Sequence, residues 1–463
     1  MTIFAILLSM DTIFEPNNTH LLSVDGFEST DAHLRRMNQQ RYVFRSSLLE
    51  QIPTTIPGIY NLGGGRQVGK TTLLKQWMLT LLNQGVDPKA IAFLSCELIT
   101  DEKDLYDIVI NQFNEMVDKG LRYLILDEIT YVQRWERAIK YLADTGALEQ
   151  TVLLISGSDL VIMQNAMTCF PGRRGKAKQV DFHYYPLSFR EFASLIEVFP
   201  KDSLDSTPTP ESIESVYQAF DQYLMHGGFL TAINEYAMTQ SIGPQTLATY
   251  SNWIRGDVIK QGKKEHYLKE ILRAISKHYA SQISWRNLVS SLSIDHPQTA
   301  IDYVGLLESM DAVFVQSALI EDKLVAAPKK QRKMMFSDPF IFHAIQHWLN
   351  PSTTPFESQI SLAIKDPILC SKLVEATVVT HFRRYYPTYY IKAKGEVDVA
   401  YVKENTFWPI ELKWTNQVRA KDLQQLAHYS RAELWVKPSN TSSIHGIASR
   451  MLPFALLEVG KDI

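Results

Sequence analysis

Residues 59–72 combine an apolar run with a glycine-rich segment of a kind that can surround phosphate groups. Gly64, four further residues and then Gly69, Lys70 and Thr71 satisfy the pattern G-x-x-x-x-G-K-[ST]. In such a loop the backbone N–H groups wrap the phosphates, the lysine neutralises their charge and the threonine holds Mg²⁺. Glycine is needed because positive φ angles and close approach to an anion are unfavourable for residues with a Cβ. The segment predicts an ATP-binding site formed by Gly64, Gly65, Arg66, Gln67, Val68, Gly69, Lys70, Thr71 and Thr72.

Residues 121–128 supply an acidic pair downstream of this loop. They form an apolar run that ends in Asp127 and Glu128, which places one carboxylate beside Mg²⁺ and the other beside the attacking water. The alternative interpretation is a solvated carboxylate pair at the end of a strand. A helix predicted from Thr72 to about Asn83 directs its N-terminal partial charge at the same phosphates. The expected chemistry is therefore Mg²⁺-dependent hydrolysis of ATP, with Lys70 as the phosphate clamp and Glu128 orienting the water.

Buried strands alternate with helices around these residues. Strands are predicted at 90–96 and 151–155, and a helix is predicted at 104–118. The alternation predicts an α/β fold with a doubly wound, mostly parallel sheet of five strands. Ser156 and Ser158 follow the strand at 151–155, at the edge where parallel sheets bind ligands. Either serine can contact the γ-phosphate or simply close a turn.

A basic turn at residues 171–176 follows this region. Arg173 within it can serve as an arginine finger, which stabilises negative charge in the transition state of phosphoryl transfer. It can equally be a solvated loop residue. The sequence leaves both interpretations open.

A second group of charged residues, near the C-terminus, has the composition of a metal-dependent nuclease site. Asp398 lies in one predicted strand, and Glu411 and Lys413 lie in the next. Glu411 and Lys413 share a face because alternate residues of a strand point the same way. Two carboxylates can hold Mg²⁺, and a neighbouring lysine can position or deprotonate a water for phosphodiester hydrolysis, with Glu375 as a plausible fourth member. The alternative is an ion pair on an edge strand.

The segments between these two groups predict a loop and a helical module. Residues 201–211 are polar and interrupted by proline, which is typical of a surface loop. Residues 265–335 predict a winged helix, with three helices followed by a two-stranded wing at 312–316 and 324–327. The basic run 329–333 can contact phosphates. Because the third helix carries acidic residues, a packing role between domains remains an equal alternative to DNA binding.

The overall composition is that of a globular protein of 463 residues with 45% apolar residues, 21% charged residues and a net charge of −3. This charge gives no general attraction to nucleic acid or membrane, so any such contact must come from local patches. Three widely spaced cysteines fit neither a disulfide framework nor a zinc site, which favours the cytoplasm. Residues 1–10 are apolar but lack a basic start and are too few to span a bilayer, so a local packing strand or an incorrectly chosen start codon is expected rather than a signal peptide, and no membrane association is expected.

Taken in order, these motifs resemble those of a widespread prokaryotic family of AAA-type P-loop ATPases. The resemblance covers nearly the whole chain from about residue 40, and it runs through the phosphate loop and then residues 126–129, 155–158, 172–173, 185–192 and 227–229. It implies nucleotide and magnesium roles for Lys70, Thr71, Asp127 and Glu128, and it makes Arg173 the arginine of the family's Gly-Arg motif. Gly65 is a departure, since the family often has proline there.

The resemblance also implies that a winged-helix segment and a C-terminal domain of otherwise unknown function follow the ATPase core. That last domain resembles the restriction-endonuclease fold, with Asp398, Glu411 and Lys413 on its motif positions. The expected segments are an N-terminal extension (1–40), the P-loop ATPase core (41–200), a small helical lid (201–262), a winged helix (263–350) and the nuclease-like domain (351–463).

Two hypotheses of different classes follow. In the first, a cytoplasmic Mg²⁺-dependent ATPase uses its nucleotide state to control a C-terminal module that binds or cuts DNA or RNA. In the second, ATP operates a regulatory switch that binds a protein partner, and the C-terminal domain is catalytically inactive. The ligands expected in both cases are ATP or ADP with Mg²⁺, and a second copy of the chain is a further candidate partner.

Overall fold

The computed structural model describes residues 14–117, 120–159, 163, 168–198, 209–415, 417–437 and 442–461. The chain divides into two compact units, residues 1–185 and 186–463. The strand expected within residues 1–10 and most of the loop expected at 201–211 fall outside the described ranges.

The described residues of the first unit contain a parallel sheet of five strands. These are β1 (Gly58–Gly63), β2 (Ile91–Ser95), β3 (Arg122–Asp127), β4 (Thr151–Gly157) and β5 (Asp181–His183). They lie in the order β2-β3-β4-β1-β5, and every neighbouring pair is parallel. The prediction of an α/β fold with a parallel five-stranded sheet is confirmed. Because the strands are parallel, their carboxyl ends lie along one edge, where ligands bind in sheets of this kind.

Helices connect and cover these strands. The helix after β1 spans Lys70–Asn83, and a second spans Glu102–Glu115, so both predicted helices are confirmed with starts two residues earlier than expected. The second begins where the Asp101 side chain accepts hydrogen bonds from two backbone N–H groups of the first turn. Among the described residues of this unit, the remaining helices and short turns are Glu15–Asn17, Thr19–Leu21, Phe27–Thr30, Ala32–Asn38, Leu48–Gln51, Pro88–Ala90, Cys96–Leu98, Ile129–Tyr131 and Trp135–Asp144.

The second unit begins with a largely helical region. Its α-helices are Phe189–Leu195, Pro210–His226, Leu230–Thr239, Pro244–Lys260, Glu265–Lys277, Trp285–Val289, Pro297–Ser309 and Pro339–Leu349. Three of them lie at the positions expected for the helices at 265–309. Among the described residues of the chain, no helix is both long enough and apolar enough to cross a membrane.

Four short strands lie among these helices, and their pairing differs from the prediction. They are β6 (Val313–Ser317), β7 (Leu319–Ile320), β8 (Val325–Ala326) and β9 (Arg332–Phe336). Strand β6 pairs with β9, and β7 pairs with β8, so the expected pairing of 312–316 with 324–327 is wrong. The physical reason is that β9 ends in three buried apolar residues, Met334, Met335 and Phe336, which cover apolar surface that β8, being exposed, cannot cover.

The last part of the second unit is a six-stranded mixed sheet among the described residues. Its strands are β10 (Thr388–Lys392), β11 (Glu396–Lys403), β12 (Thr406–Lys413), β13 (Glu433–Val436), β14 (Ser443–Ile444) and β15 (Ile447–Met451), in the order β10-β11-β12-β13-β15-β14. Strands β10, β11 and β12 are antiparallel, whereas β12, β13 and β15 are parallel. The accompanying helices and turns are Phe356–Ile360, Ser361–Lys365, Pro367–Arg383, Ala420–Leu423, Leu426–His428 and Leu452–Glu458.

A glycine pair, Gly227 and Gly228, allows three segments of the second unit to meet. Gly227 has φ 59°, and a Cβ there would lie 2.6 Å from the carboxyl carbon of Asp338. The N–H of Gly228 donates to the Asp338 carboxylate at 2.9 Å, and the N–H of Leu187 donates to the Gly228 carbonyl at 2.8 Å. This part of the motif at 227–229 therefore has a packing role.

The variant Gly228→Ala is expected to lower the free energy of unfolding of the second unit by about 3 kcal/mol, because a Cβ would overlap neighbouring backbone. That Cβ would lie 2.6 Å from the Leu187 nitrogen and closer still to its carbonyl oxygen. Gly256→Ala is the control, since no heavy atom lies within 4 Å of its added Cβ inside the helix Pro244–Lys260. It should be neutral or stabilising by about 0.5–1 kcal/mol. Urea unfolding followed by circular dichroism measures both, and equal midpoints would contradict the packing role.

Candidate functional site

The phosphate-loop segment connects β1 directly to the helix Lys70–Asn83. Gly64 and Gly69 have φ angles of 153° and 98°, in the region that favours glycine. A Cβ on Gly64 would also lie 3.3 Å from the carbonyl carbon of Tyr184 and closer still to its oxygen. The loop can therefore keep this path only with glycine at position 64. It contains the predicted binding residues Gly64, Gly65, Arg66, Gln67, Val68 and Gly69, and the first helical turn contains Lys70, Thr71 and Thr72.

The Lys70 side chain is buried at the end of this loop, with the residue only 5% exposed. Its ammonium donates to the carbonyl oxygens of Gly64 and Gly65, both at 3.0 Å, and lies 3.7 Å from the Glu128 carboxylate. A buried ammonium needs partners of this kind because burial without them is strongly unfavourable.

The first turn of the helix Lys70–Asn83 and the ends of β3 and β4 bring Thr71, Asp127 and Ser156 together. The Thr71 hydroxyl donates to one oxygen of the Asp127 carboxylate at 2.7 Å, and the Ser156 hydroxyl donates to the other oxygen. Burial raises the pKa of Asp127, while these two hydrogen bonds act in the opposite direction. Asp127 is thus held in a fixed orientation beside the threonine that follows the P-loop lysine.

Glu128 is positioned by its backbone as well as by its side chain. Its φ and ψ of 54° and 44° are left-handed, a conformation that is unfavourable for a residue with a Cβ and is concentrated at functional sites. The Ser158 hydroxyl donates to its carboxylate at 3.0 Å, and its N–H donates to the Ser156 hydroxyl at 3.2 Å. Both predicted serines therefore contact the acidic pair, and a γ-phosphate role for them stays a prediction.

Sequence reasoning missed one contact across the site. Tyr131, three residues after Glu128, accepts a hydrogen bond from the guanidinium of the loop residue Arg66 at 3.0 Å. The guanidinium also lies 5.8 Å from the centre of the tyrosine ring. A tyrosine in the turn after an acidic strand carries no motif that would have revealed this contact.

Arg173 occupies a different part of the first unit. Its guanidinium forms an ion pair with Asp144, the last residue of the helix Trp135–Asp144, and also donates to the Pro171 carbonyl at 3.1 Å. Its side chain is 30% exposed. The structure therefore does not place Arg173 among the phosphate-loop residues, and a finger role for it stays a prediction.

The phosphate-loop residues fit a Mg²⁺-bound nucleotide. The loop has the backbone of an anion-binding turn, Lys70 supplies a buried positive charge, and the loop leads into a helix N-terminus. Thr71 and Asp127 supply hard oxygen groups of the kind that Mg²⁺ prefers. The fit rests on donor types and burial together.

The C-terminal triplet predicted from the sequence is also brought together. Strand β11 carries Asp398, the neighbouring β12 carries Glu411 and Lys413, and the Lys413 ammonium lies 2.5 Å from the Glu411 carboxylate. The Asp398 carboxylate accepts the backbone N–H of Leu412 at 3.0 Å. Burial, followed by the charge of Asp398, raises the pKa of Glu411 to about 8. One Glu411 oxygen, Oε2, is buried without a hydrogen-bond partner.

A lysine that the sequence analysis placed in a surface run occupies this cluster. The Lys333 ammonium, from β9, lies 2.6 Å from the Glu375 carboxylate and 3.6 Å from that of Asp398, and it also pairs with Glu396. Burial opposes the charged form, but these carboxylates outweigh it and raise the pKa of Lys333. The interpretation of Lys333 as a phosphate-contacting surface residue is wrong, because its side chain is only 2% exposed.

The carboxylates as arranged do not fit a divalent cation. Within the described ranges, no group of three or more His, Cys, Asp or Glu side chains is arranged to hold a metal ion. The Lys333 ammonium bridges Glu375 and Asp398, which are the oxygen donors that a metal would need. The Lys333 ammonium therefore already supplies a positive charge between these two carboxylates.

An open cleft adjoins Lys413. It has a volume of about 550 Å³ and is lined mainly by basic and polar side chains, namely Lys413, Thr415, Gln417, Arg419, Lys421 and Asp422. Such a lining suits an anionic ligand. His381 and Tyr390, from a nearby stretch that mixes aromatic and basic residues, are buried and hydrogen-bonded within the unit and so are not available to a ligand.

The parallel sheet, the glycine-rich loop and the acidic strand end are the features of a P-loop ATPase-like domain. Residues 57–193 match a family described as an AAA domain. Residues 217–352 match a family described as a domain of unknown function (DUF8612). The first match contains the phosphate loop, the acidic pair and both serines.

Two curated relatives are both described as uncharacterized proteins. One, from Haemophilus influenzae, is 22% identical over 262 residues, which is 54% of this chain and 59% of the relative. The other, from Methanocaldococcus jannaschii, is 23% identical over 269 residues, which is 56% of this chain and 55% of the relative. The chain thus spans less than two thirds of the length of these relatives.

Several solved structures are similar to the chain at low scores. A Walker-type ATPase of Pyrococcus abyssi has a TM-score of 0.41 and 14% identity, covering 62% of this chain and 91% of that one. The Aeropyrum pernix ORC1 protein, solved in complex with DNA, has a TM-score of 0.30 and 14% identity, covering 71% and 94%. AMPPCP-bound DnaA of Aquifex aeolicus has a TM-score of 0.27 and 13% identity, covering 56% and 84%. Scores below 0.5 are too low to support a functional argument.

Proposed function

We propose that the first unit binds ATP together with Mg²⁺ and hydrolyses it. The observation that carries the proposal is the set of contacts joining Thr71, Asp127 and Ser156 next to the buried Lys70 ammonium. A lysine, a threonine and an aspartate in these positions recur in phosphoryl transfer by P-loop enzymes, and here they and Ser156 converge from three separate segments. Mg²⁺, when bound with the nucleotide, would neutralise phosphate charge beside Thr71 and Asp127.

The other roles follow from position. Lys70 would clamp the phosphates, since its ammonium already lies between the loop carbonyls and Glu128. Glu128 would orient the attacking water, and the Ser158 hydroxyl would keep its carboxylate in place. Asp127 would remain fixed by its two hydroxyl donors rather than by solvent. The protein itself would perform little covalent chemistry, because positioning and charge neutralisation account for most of the rate enhancement in phosphoryl transfer.

The Thr71 hydroxyl is expected to make nucleotide affinity depend on Mg²⁺. In Thr71→Val the gain in ATP affinity on adding Mg²⁺ should fall about tenfold, the size expected from losing one hydrogen bond to a charged group. Thr80→Val is the control, because Thr80 lies on the same helix and its hydroxyl donates only to the Gln76 carbonyl. Titration of a fluorescent ATP analogue with and without Mg²⁺ measures the gain. An unchanged gain in Thr71→Val would contradict the proposed role.

For the second unit, we propose a nucleic-acid-binding module related to the restriction-endonuclease fold and preceded by a winged-helix segment. The mixed sheet that carries Asp398, Glu411 and Lys413 on neighbouring strands supports the first part of this proposal. The basic cleft beside Lys413 supports phosphate contact. Binding of double-stranded DNA, followed by gel shift over a range of salt concentrations, tests it, because contacts with several phosphates must weaken steeply as salt rises.

The second candidate function is an ATP-dependent switch whose C-terminal domain is catalytically inactive and binds a protein partner. The position of Lys333 among the carboxylates favours it over a cutting enzyme. The two candidates differ in one measurement. Salt-sensitive DNA binding supports the nucleic-acid module, whereas purification of a stoichiometric protein partner with no DNA affinity supports the switch.

A further inference from the structure

We propose that the Lys333 ammonium is the resident counter-cation of the nuclease-like carboxylate cluster and excludes a divalent cation from it. The cluster consists of Glu375, Glu396, Asp398 and Glu411. The inference deepens the nuclease-like part of the proposed function and rests on it. It concerns a site that would bind a hard divalent cation, such as Mg²⁺ or Mn²⁺, once this lysine is removed.

The first argument is the origin of the lysine. Lys333 belongs to β9, and therefore to the region before the mixed sheet, whereas the carboxylates lie on the helix Pro367–Arg383 and on β11 and β12. Its side chain is 2% exposed. Lysine is almost never fully buried unless it is paired, so the buried ammonium requires the carboxylates around it.

The second argument is the number of contacts that fix β9 and its surroundings against the mixed sheet. The Gln316 side chain, on the partner strand β6, donates to the Tyr389 carbonyl at 3.0 Å and to the Asp398 carbonyl at 2.9 Å. The Tyr390 hydroxyl donates to the Gln331 carbonyl at 2.6 Å. Strand β9, which carries Lys333, is therefore held against the mixed sheet both through its partner strand β6 and through Gln331, the residue before it.

The third argument is charge. The four carboxylates face two ammonium groups, those of Lys333 and Lys413, so the cluster keeps an excess of acidic groups. A divalent cation placed between Glu375 and Asp398 would meet the Lys333 ammonium at contact distance, and like charges at this range repel strongly in a buried site. The ammonium and the metal are therefore mutually exclusive occupants.

The fourth argument is a donor atom that is ready for a ligand. Glu411 is 5% exposed, and its Oε2 has no hydrogen-bond partner. A buried carboxylate oxygen without a partner is unfavourable, and a metal ion would satisfy it. Removal of Lys333 would leave the carboxylates of Glu375, Glu396 and Asp398, which its ammonium contacts, around a space of the size of an ammonium group.

The test is a calorimetric titration of the nucleotide-free 463-residue chain with Mn²⁺. Wild type is expected to show no measurable Mn²⁺ binding that depends on Asp398, whereas Lys333→Met should bind one Mn²⁺ with an affinity at least about tenfold above the detection limit set by wild type. That binding should disappear in Lys333→Met combined with Asp398→Asn. Lys330→Met is the matched control, because Lys330 is in the same basic run but is exposed and donates only to the Lys392 carbonyl. It should behave like wild type.

Two results would overturn the inference. One is Mn²⁺ binding in wild type that is as tight as in Lys333→Met and is lost in Asp398→Asn. The other is a folded Lys333 variant that binds no Mn²⁺; Lys333→Gln, which keeps a polar tip, serves where Lys333→Met does not fold. The outcome is separate from the proposed function, since a failure of DNA binding or of ATP hydrolysis leaves the nucleotide-free Mn²⁺ titration unchanged.

Discussion

Lys70→Ala is expected to lower the rate of ATP hydrolysis by at least about 100-fold and to weaken ATP binding. Loss of a single preorganised charge or donor at a site of this type typically costs about 100-fold to 1,000-fold in rate. The effect should be large here because the ammonium is buried beside Glu128 and the loop carbonyls, where solvent cannot replace it. Release of inorganic phosphate measures the rate, and a fluorescent analogue measures the affinity.

The control for this variant is Lys89→Ala. Lys89 is exposed and lies in the turn before β2, so its loss should leave both the rate and the affinity unchanged. If Lys70→Ala has a normally folded first unit and still hydrolyses ATP at the wild-type rate, the assignment of the loop as a phosphate-binding loop is contradicted. A matched loss in both variants would instead indicate a general effect of charge on the protein.

Glu128→Gln should separate binding from hydrolysis. We expect a rate loss of about 100-fold or more with ATP affinity retained, because glutamine keeps the size and the hydrogen bond with Ser158 but cannot attract the proton of a water. The left-handed backbone at position 128 is equally unfavourable for glutamate and glutamine, so the stability of the folded protein should not change. Steady-state phosphate release and equilibrium binding, measured on the same preparation, test the separation.

The matched control is Glu149→Gln, which removes an exposed carboxylate from the same unit. It should behave like wild type in both assays. Retention of full hydrolysis in Glu128→Gln would show that another group orients the water. Loss of ATP affinity in this variant would show that Glu128 acts in binding, through its position 3.7 Å from Lys70, rather than in the chemical step.

The first unit follows closely from the sequence because its signals are local. A strand, a glycine-rich turn and a helix occur in succession at residues 58–83, and each depends on neighbouring residues alone. The acidic pair ends a strand that is apolar throughout, so its place at the edge of the sheet follows from the fold class. What the sequence could not supply was the orientation of the pair, because Ser156 and Ser158 reach it from a different strand.

The second unit was harder to predict because its decisive contacts join distant residues. Lys333 and Glu375 are 42 positions apart, and a basic run looks solvent-exposed when it is considered alone. Strand β9 was not predicted because its apolar residues follow directly after the charged residues of this run. The strands of Asp398, Glu411 and Lys413 were predictable by alternation, whereas the ammonium placed among the carboxylates was not.

The most direct test of the account is the release of inorganic phosphate from ATP by the wild-type chain, measured with Mg²⁺ and again with excess EDTA. The account predicts steady release that requires Mg²⁺ and falls to background in EDTA. Thr71 and Asp127 are the residues of the proposed site that act through the metal. Of the variants described above, only Thr71→Val should therefore change the dependence on Mg²⁺. Absence of release under both conditions, or equal release under both, would contradict the assignment of the first unit as a Mg²⁺-dependent ATPase.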